Sequence, residues 1–326
     1  MTSTKLQTAI VLIIFKRPEH TDRVLSKILQ VNPSKLYIVA DGPRSKFSIE
    51  AKKCAETISL VLQKLKKSNF EIEWIVSEKN LGLEKRITSG LNYIFKKEKQ
   101  VIILEDDCVP DISFFAFCEK LLLKYRENNK ISHISGTKFT PRNDFIESYY
   151  FSKYPIEWGW ATWADRWAFY DSNMAEWPSI KWSSYFRSLF STKRTYNYWK
   201  WIFSRCYSGE QNSWAYKWLY INLIRKNYSI SPSINLVTNI GLGNDSTNTL
   251  LKYSYAQPKI NIMEFPLVHP KRIKFNYKDD RELERKMFSK PELWLEVMTK
   301  RIKPVYRHTI TKLSDLINRY KGIRNV

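Results

Sequence analysis

The chain has 326 residues, 43% of them hydrophobic and 15% aromatic, which is enough apolar material for a core and excludes an intrinsically disordered chain. Its formal charge of +22 points to polyanionic partners, namely nucleic acid, an anionic membrane face or phosphorylated substrates, without choosing among them. Cys54, Cys108, Cys118 and Cys206 make no Cys-x-x-Cys pair and no zinc-spaced set, and read as reduced, buried thiols of a cytoplasmic protein.

The first 140 residues alternate between strand and helix patterns. "QTAIVLIIF" reads as a buried strand. Its apolar run is too short to span a bilayer, which takes about 20 residues, and no small-residue cleavage site follows it. Pro18 suits the first turn of a helix with Val24, Leu25, Ile28 and Leu29 on one face. "KLYIVAD" is a second strand, and a helix follows with Cys54, Ile58, Val61, Leu62 and Leu65 on one side. "EIEWIVS" is a third strand. "EKNLGLEKR" then turns into a helix carrying Ile87, Leu91, Ile94 and Phe95. "VIILE" is the fourth strand, and "DISFFAFCEKLLLKYREN" is a helix with Asp111 at its N-cap.

Continuous apolar strands in repeated strand–helix units predict an α/β fold, with a mainly parallel sheet covered on both faces. Ligands in such sheets bind beyond the carboxyl ends of the strands. Asp41, the segment Asn80 to Arg86, and the acidic run Glu105, Asp106, Asp107 all follow predicted strands, so three separated segments are expected to meet at one crevice. Adjacent acids repel, and such an excess of negative charge is stabilised by a cation. Hard divalent ions such as Mg2+ and Mn2+ take carboxylate oxygens and leave positions for phosphate oxygens, so the run reads as a site for a metal and a diphosphate. A solvated turn is the plain alternative.

After about Phe145 the character changes. Ten of the twelve tryptophans lie between Trp158 and Trp218, in basic sequence of helical character. Most are expected to be core, with one or two reaching an acceptor pocket, because aromatic faces stack on sugar rings. From Leu283 the chain reads as basic helix with amphipathic spacing, a candidate contact for an anionic membrane surface. The resulting divisions are 1–145, 146–270 and a basic tail 271–326. No nucleic-acid module is recognisable, and no nucleic-acid partner is expected.

In order and spacing, "FKRPEHTDRVL", "LYIVADGPR", "EKNLGLEKRITSGLNYIF", "VIILEDDCVPDISFFAFC", "WGWATWADRW", "NSWAYKW", "SPSINLVTNIGLGNDSTNT" and "FPLVHP" resemble a bacterial nucleotide-sugar glycosyltransferase family of the GT-A (Rossmann-like) fold. More distantly the chain is similar to N-acetylglucosaminyltransferase I. The resemblance covers roughly residues 10–271. It implies an inverting transfer from a UDP-sugar, with Mn2+ or Mg2+, to a hydroxyl of a lipid-linked or growing surface glycan. The setting would be cytoplasmic, peripheral on the inner face of the cytoplasmic membrane.

Carried onto this sequence, the resemblance has Phe15, Lys16, Arg17, Asp41 and Arg44 line the base and ribose. Asn80, Leu81, Gly82 and Arg86 close over the ribose and diphosphate. Glu105 and Asp106 face ribose or sugar, Asp107 binds the metal, and Glu157 and Trp158 contact donor or acceptor sugar. His269 is a second metal-ligand candidate.

An inverting transferase needs a carboxylate to deprotonate the acceptor hydroxyl. Where relatives carry that acid, this chain has Asn212 and Ala215. Glu210 is the nearest carboxylate and is taken as the base, with Asp165 and Asp171 in reserve. Asn248 stands where relatives carry His, with Asp245 and Ser246 nearby. Two rivals remain at this stage. A sugar-phosphate nucleotidyltransferase would need a Gly-rich loop after the first strand, where "FKRPEH" has no glycine. A non-catalytic glycan- or membrane-binding protein would need no base.

Overall fold

The structure, a computed structural model, describes residues 5–44, 48–140, 142–241 and 259–288. Strand–helix units open the chain as expected: β1 (Ala9–Ile14), α1 (Pro18–Gln30), β2 (Lys35–Ala40), α2 (Ser48–Leu65), β3 (Glu71–Val76), α3 (Leu83–Ile94) and β4 (Gln100–Glu105). A short strand β5 (Cys108–Pro110), α4 (Ser113–Lys124), β6 (Ile131–Ser135), β7 (Tyr149–Ser152) and β8 (Trp160–Trp163) follow. The tryptophan-rich region forms α5 (Ala164–Trp167), α6 (Trp177–Ile180), α7 (Ser184–Ser188), α8 (Lys193–Tyr207) and α9 (Trp214–Ile224). Then come β9 (Tyr228–Pro232), β10 (Val237–Asn239) and α10 (Tyr277–Leu283), which runs on into a π turn at Glu284–Phe288.

The main sheet has eight strands in the order β3-β2-β1-β4-β8-β6-β9-β7. β1 to β4 are parallel neighbours, β8 runs antiparallel to both β4 and β6, and β9 lies parallel to β6 and antiparallel to β7. The fold is thus a mixed, Rossmann-like α/β layer structure. Side chains alternate between the faces of a strand, which is why the strands are apolar throughout. Ile10, Leu12 and Ile14 of β1 join the core under α1, α2 and α4, whereas Val11 and Ile13 join the core under α3 and α9. The sheet runs straight through the boundary expected at residue 145: β8, from the second half, pairs with β4 from Gln100↔Trp163 to Ile103↔Trp160.

Details depart from the sequence reading. Leu62 is half exposed, and Thr57 takes the buried place on α2. Asp111 acts one residue further out than an N-cap, its Oδ1 accepting from Ser113 N at 2.8 Å. The basic tail begins with buried acids. Asp279, Asp280 and Glu284 turn inward, where Thr140 donates to Asp279 (3.1 Å), Lys153 pairs with Glu284 (2.6 Å) and Tyr154 donates to Glu284 (2.8 Å). Residues 289–326, which hold most of the expected basic tail, lie outside the described residues. No helix among the described residues is long and apolar enough to cross a membrane.

Candidate active site

Because β1, β2, β3 and β4 are parallel, their carboxyl ends open on one edge. Glu105 is the last residue of β4 and sits opposite Ile13 of β1. The chain then turns through Asp106 and Asp107 alone before β5 begins, and β5 pairs antiparallel with β10, Cys108 opposite Asn239. The sequence reading missed both short strands, since three residues carry no periodicity. Pro110 is the last residue of β5, opposite Val237.

The acid pair is approached by one arginine. Arg17 NH1 lies 2.7 Å from Asp107 Oδ2 and 3.8 Å from Asp106 Oδ1. Phe15 N donates to Asp106 Oδ2 at 3.2 Å, and Asn239 Nδ2 donates to Asp107 Oδ1 at 3.3 Å. Gly241 closes against the same group: a Cβ there would stand 2.1 Å from Asp107 Oδ2 and 2.7 Å from Arg17 NH1, so any other residue would force the pair apart.

Asp41 serves the loop before α3. Its Oδ1 accepts from Gly42 N (3.0 Å) and Leu81 N (2.9 Å), and its Oδ2 from Asn80 Nδ2 (3.1 Å) and Gly82 N (3.0 Å). Two of the three expected crevice segments therefore meet, but this carboxylate is occupied in shaping residues 80–82. Gly42 is required here, since an added Cβ would lie 2.5 Å from Glu78 O. Arg86 is buried beneath the loop. Burial lowers its pKa against the opposing pull of Asp41, and its Nε finds no hydrogen-bond acceptor among the described residues.

Glu50 of α2 is a residue that sequence reasoning missed. It accepts from Lys16 Nζ at 2.6 Å, from Arg44 N at 3.0 Å and from Arg44 Nε at 2.9 Å. The Arg44 hydrogen bonds, with help from Lys16 and against burial, pull its carboxyl down to about 2. One buried acid thus gathers two of the cations assigned to the nucleotide. Nothing in the spacing of α2 marks Glu50, because its importance comes from β1 and β2 ending beside it.

Negative charge accumulates elsewhere. Burial, then Asp107, Asp106 and Glu157, raise the Glu105 carboxyl well above its ordinary value. Burial and Asp107 push Asp106 up to about 7, opposed by Arg17 and the Phe15 N–H. Glu157, in the loop before β8, is raised to about 8 by burial, and its own backbone N–H is its hydrogen-bond donor. The crevice thus brings Glu157 within the electrostatic reach of Glu105. Trp158 is partly buried, edge-on to Phe139 at 5.1 Å. Seven of the tryptophans between 158 and 218 are buried, which makes this segment chiefly core.

Several other expected residues are engaged with partners of their own. Glu210 is exposed in the α8–α9 connection and is held by Arg205 (2.9 Å) and Ser208 (3.2 Å). Asp165 follows the end of β8 that pairs with Gln100, the amino end of β4, and it pairs with Arg166 at 2.6 Å. Asp171 accepts from Asn173 N and Ala175 N in a local turn. His269 is a correction of position: its Nδ1 bonds Tyr149 at 2.9 Å on β7, the opposite edge strand. That is four strand spacings from β4, roughly 19 Å, so His269 cannot share a metal with Asp107. Asp245, Ser246 and Asn248 lie outside the described residues. Among the described residues no three His, Cys, Asp or Glu side chains converge to hold a metal unaided.

No protein-family model matches the chain, and no curated protein matches it in sequence. Solved structures that overlay on it include 4-diphosphocytidyl-2C-methyl-D-erythritol synthase from Anaerococcus prevotii, at 12% identity and a TM-score of 0.34, covering 52% of this chain and 77% of that one. UDP-glucose pyrophosphorylase complexed with UDP-glucose overlays at 10% identity and a TM-score of 0.32, covering 50% and 78%. Overlays this loose carry no argument about activity, which has to come from the crevice itself.

Proposed function

We propose that the chain is an inverting glycosyltransferase that moves a hexosyl or N-acetylhexosaminyl group from a UDP-sugar to a hydroxyl of a surface glycan. The observation that carries this reading is the Asp106–Asp107 turn at the carboxyl edge, faced by Arg17 and backed by the β5–β10 ribbon. An acid pair beside a guanidinium, with Lys16 and Arg44 after neighbouring strands and Arg86 in the first turn of α3, suits a group that is both anionic and metal-binding, as a nucleoside diphosphate is.

Asp106 and Asp107 fit a divalent cation in donor chemistry. Hard oxygen donors stand side by side, burial and then the Asp107 charge raise the Asp106 carboxyl, and Gly241 leaves Asp107 Oδ2 free of a neighbouring Cβ. Two carboxylates, completed by phosphate oxygens and water, are enough for Mg2+ or Mn2+. When bound, such an ion neutralises charge on the leaving diphosphate.

The chain's own groups do the rest. Arg17 holds the acid pair together and offers its cation to phosphate. The loop shaped by Asp41 closes on the donor, with Arg86 below it. Glu157 replaces Glu210 as the group that takes the acceptor proton. Burial raises its carboxyl, so its carboxylate is basic enough to accept a proton as the hydroxyl attacks the anomeric carbon. A peripheral position at the inner face of the cytoplasmic membrane goes with a lipid-linked acceptor.

Turnover of a UDP-sugar panel with added Mn2+ tests the reading. Transfer that disappears in Asp107→Asn is the expected result. UDP binding with no transfer or hydrolysis of any donor would replace the enzyme with a binding protein. Pyrophosphate release from a nucleoside triphosphate and a sugar phosphate would replace it with a nucleotidyltransferase.

A further inference from the structure

A separate feature lies along the β7 edge of the sheet. Residues 261–276 are fastened to the body by backbone hydrogen bonds: Asn261 N to Asn235 O, Met263 N to Ser113 Oγ and Asn276 N to Phe151 O, each 2.8 Å, and Val268 N to Ser148 Oγ at 2.9 Å. Held in this way, the segment turns large apolar side chains outward. Ile262 is 72% exposed, Val268 50% and Tyr277 66%, and Ile146, two residues before Ser148, is 86% exposed. Lys271, Arg272, Lys274 and Lys278 are interleaved with them, and among the described residues none of the four forms an ion pair within 4.0 Å. Glu264 is the one acid between residues 259 and 278, and Asp144 and Glu147 flank Ile146, Asp144 paired with Arg142.

We propose that this rim docks the protein on an anionic lipid bilayer. Exposed aliphatic side chains among cations in excess suit the boundary between acyl chains and acidic headgroups. Nucleic acid would use the cations but has no use for Ile146, Ile262 or Val268. The chain's own residues 289–326 carry nine Lys and Arg against three acids, so they repel this rim rather than complement it. The proposal rests on the peripheral membrane position of the sugar-transfer reading and gives it a surface, and vesicle binding is read without any transfer assay. The fastening of Asn261 to Asn235, just before β10, does put one end of the rim at the ribbon that backs Asp107.

The test is co-sedimentation of the full chain with vesicles of phosphatidylcholine, with and without phosphatidylglycerol. The unsubstituted chain is expected to bind the mixed vesicles and not the neutral ones. Lys271→Glu/Arg272→Glu/Lys274→Glu should weaken that binding on the order of a hundredfold, and Ile262→Ser/Val268→Ser about tenfold, with unchanged circular dichroism. The native cysteines are buried, so Ile262→Cys can carry an environment-sensitive dye, whose emission should shift to the blue on the mixed vesicles. The proposal is overturned by absence of binding, by equal binding to both vesicle types, by wild-type affinity in both substituted chains (the contact then rests on residues 289–326), or by an unshifted dye.

Discussion

Arg17 NH1 lies 2.7 Å from Asp107 Oδ2, reaching across from the end of β1 to the turn after β4. A protein cation and a divalent ion therefore favour the same carboxylate. Arg17→Gln should leave Asp106 and Asp107 to repel without a counter-charge. The expected result is a larger stabilisation by Mn2+ than in the unsubstituted chain, read as a rise in melting temperature. Donor kcat/KM should fall about tenfold to a hundredfold, the range of one lost charge-assisted contact. Equal Mn2+ responses in the two proteins would remove Arg17 from the acid pair's chemistry.

Asp41 holds the loop at residues 80–82 with three hydrogen bonds and accepts a fourth from Gly42 N. Asp41→Ala strands the N–H groups of Leu81 and Gly82, at about 1–3 kcal/mol for each buried unsatisfied group. Denaturant unfolding should show a loss of roughly 3 kcal/mol, and the KM for donor should rise more than kcat falls. A stability loss with unchanged donor KM would confine Asp41 to a structural part.

Glu157 and Glu210 are separable by one kinetic comparison. Glu157→Gln should lower kcat by roughly a hundredfold or more, the usual contribution of a general base. Glu210→Gln should stay within about twofold, since an exposed ion pair contributes little. With the Glu157 carboxyl at about 8, its basic form grows as pH rises, so kcat/KM should climb to a plateau above that pH. Full activity in Glu157→Gln would return the base to the open question posed by Asn212 and Ala215.

His133 provides a stability prediction with a definite sign. Trp218 Nε1 donates to its Nδ1 at 3.2 Å, its Nε2 faces Ile156 O at 3.0 Å, and its ring stacks on Trp160 at 5.1 Å. These partners fit the neutral ring alone, and burial lowers its pKa to about 3. The unfolded chain takes up this proton near 6.5. Between those values the unfolded state holds more protons, so stability falls as pH falls, by about 1.4 kcal/mol per pH unit from this group. His133→Gln should be less stable at neutral pH, with a gap that narrows toward pH 5 in thermal melts. A constant gap would contradict the neutral-ring account.

The strand ends were legible because each of β1 to β4 is a buried parallel strand, whose unbroken apolar run stops where its polar residue begins. Asp41, Glu105, Asp106 and Asp107 were found that way. Glu50, Asn239 and Gly241 were not, since each acts through a residue distant in sequence: Glu50 through Lys16, Asn239 and Gly241 through Asp107. Glu210 was chosen by its place in the sequence alone. Nearness to Trp214 along the chain says nothing about nearness to Asp107 across the sheet.

Local sequence was sufficient for the alternating elements of the first half, the doubly covered sheet and the placing of acids at its carboxyl edge, because hydrophobic periodicity and strand polarity are properties of short segments. The tertiary structure alone decided that Arg17 pairs with Asp107, that Asp41 is occupied by its own loop, that Glu157 rather than Glu210 joins the acids, and that His269 belongs to β7. Those outcomes depend on strand order and on charge interactions across a few ångströms, between residues that the chain separates by tens of positions.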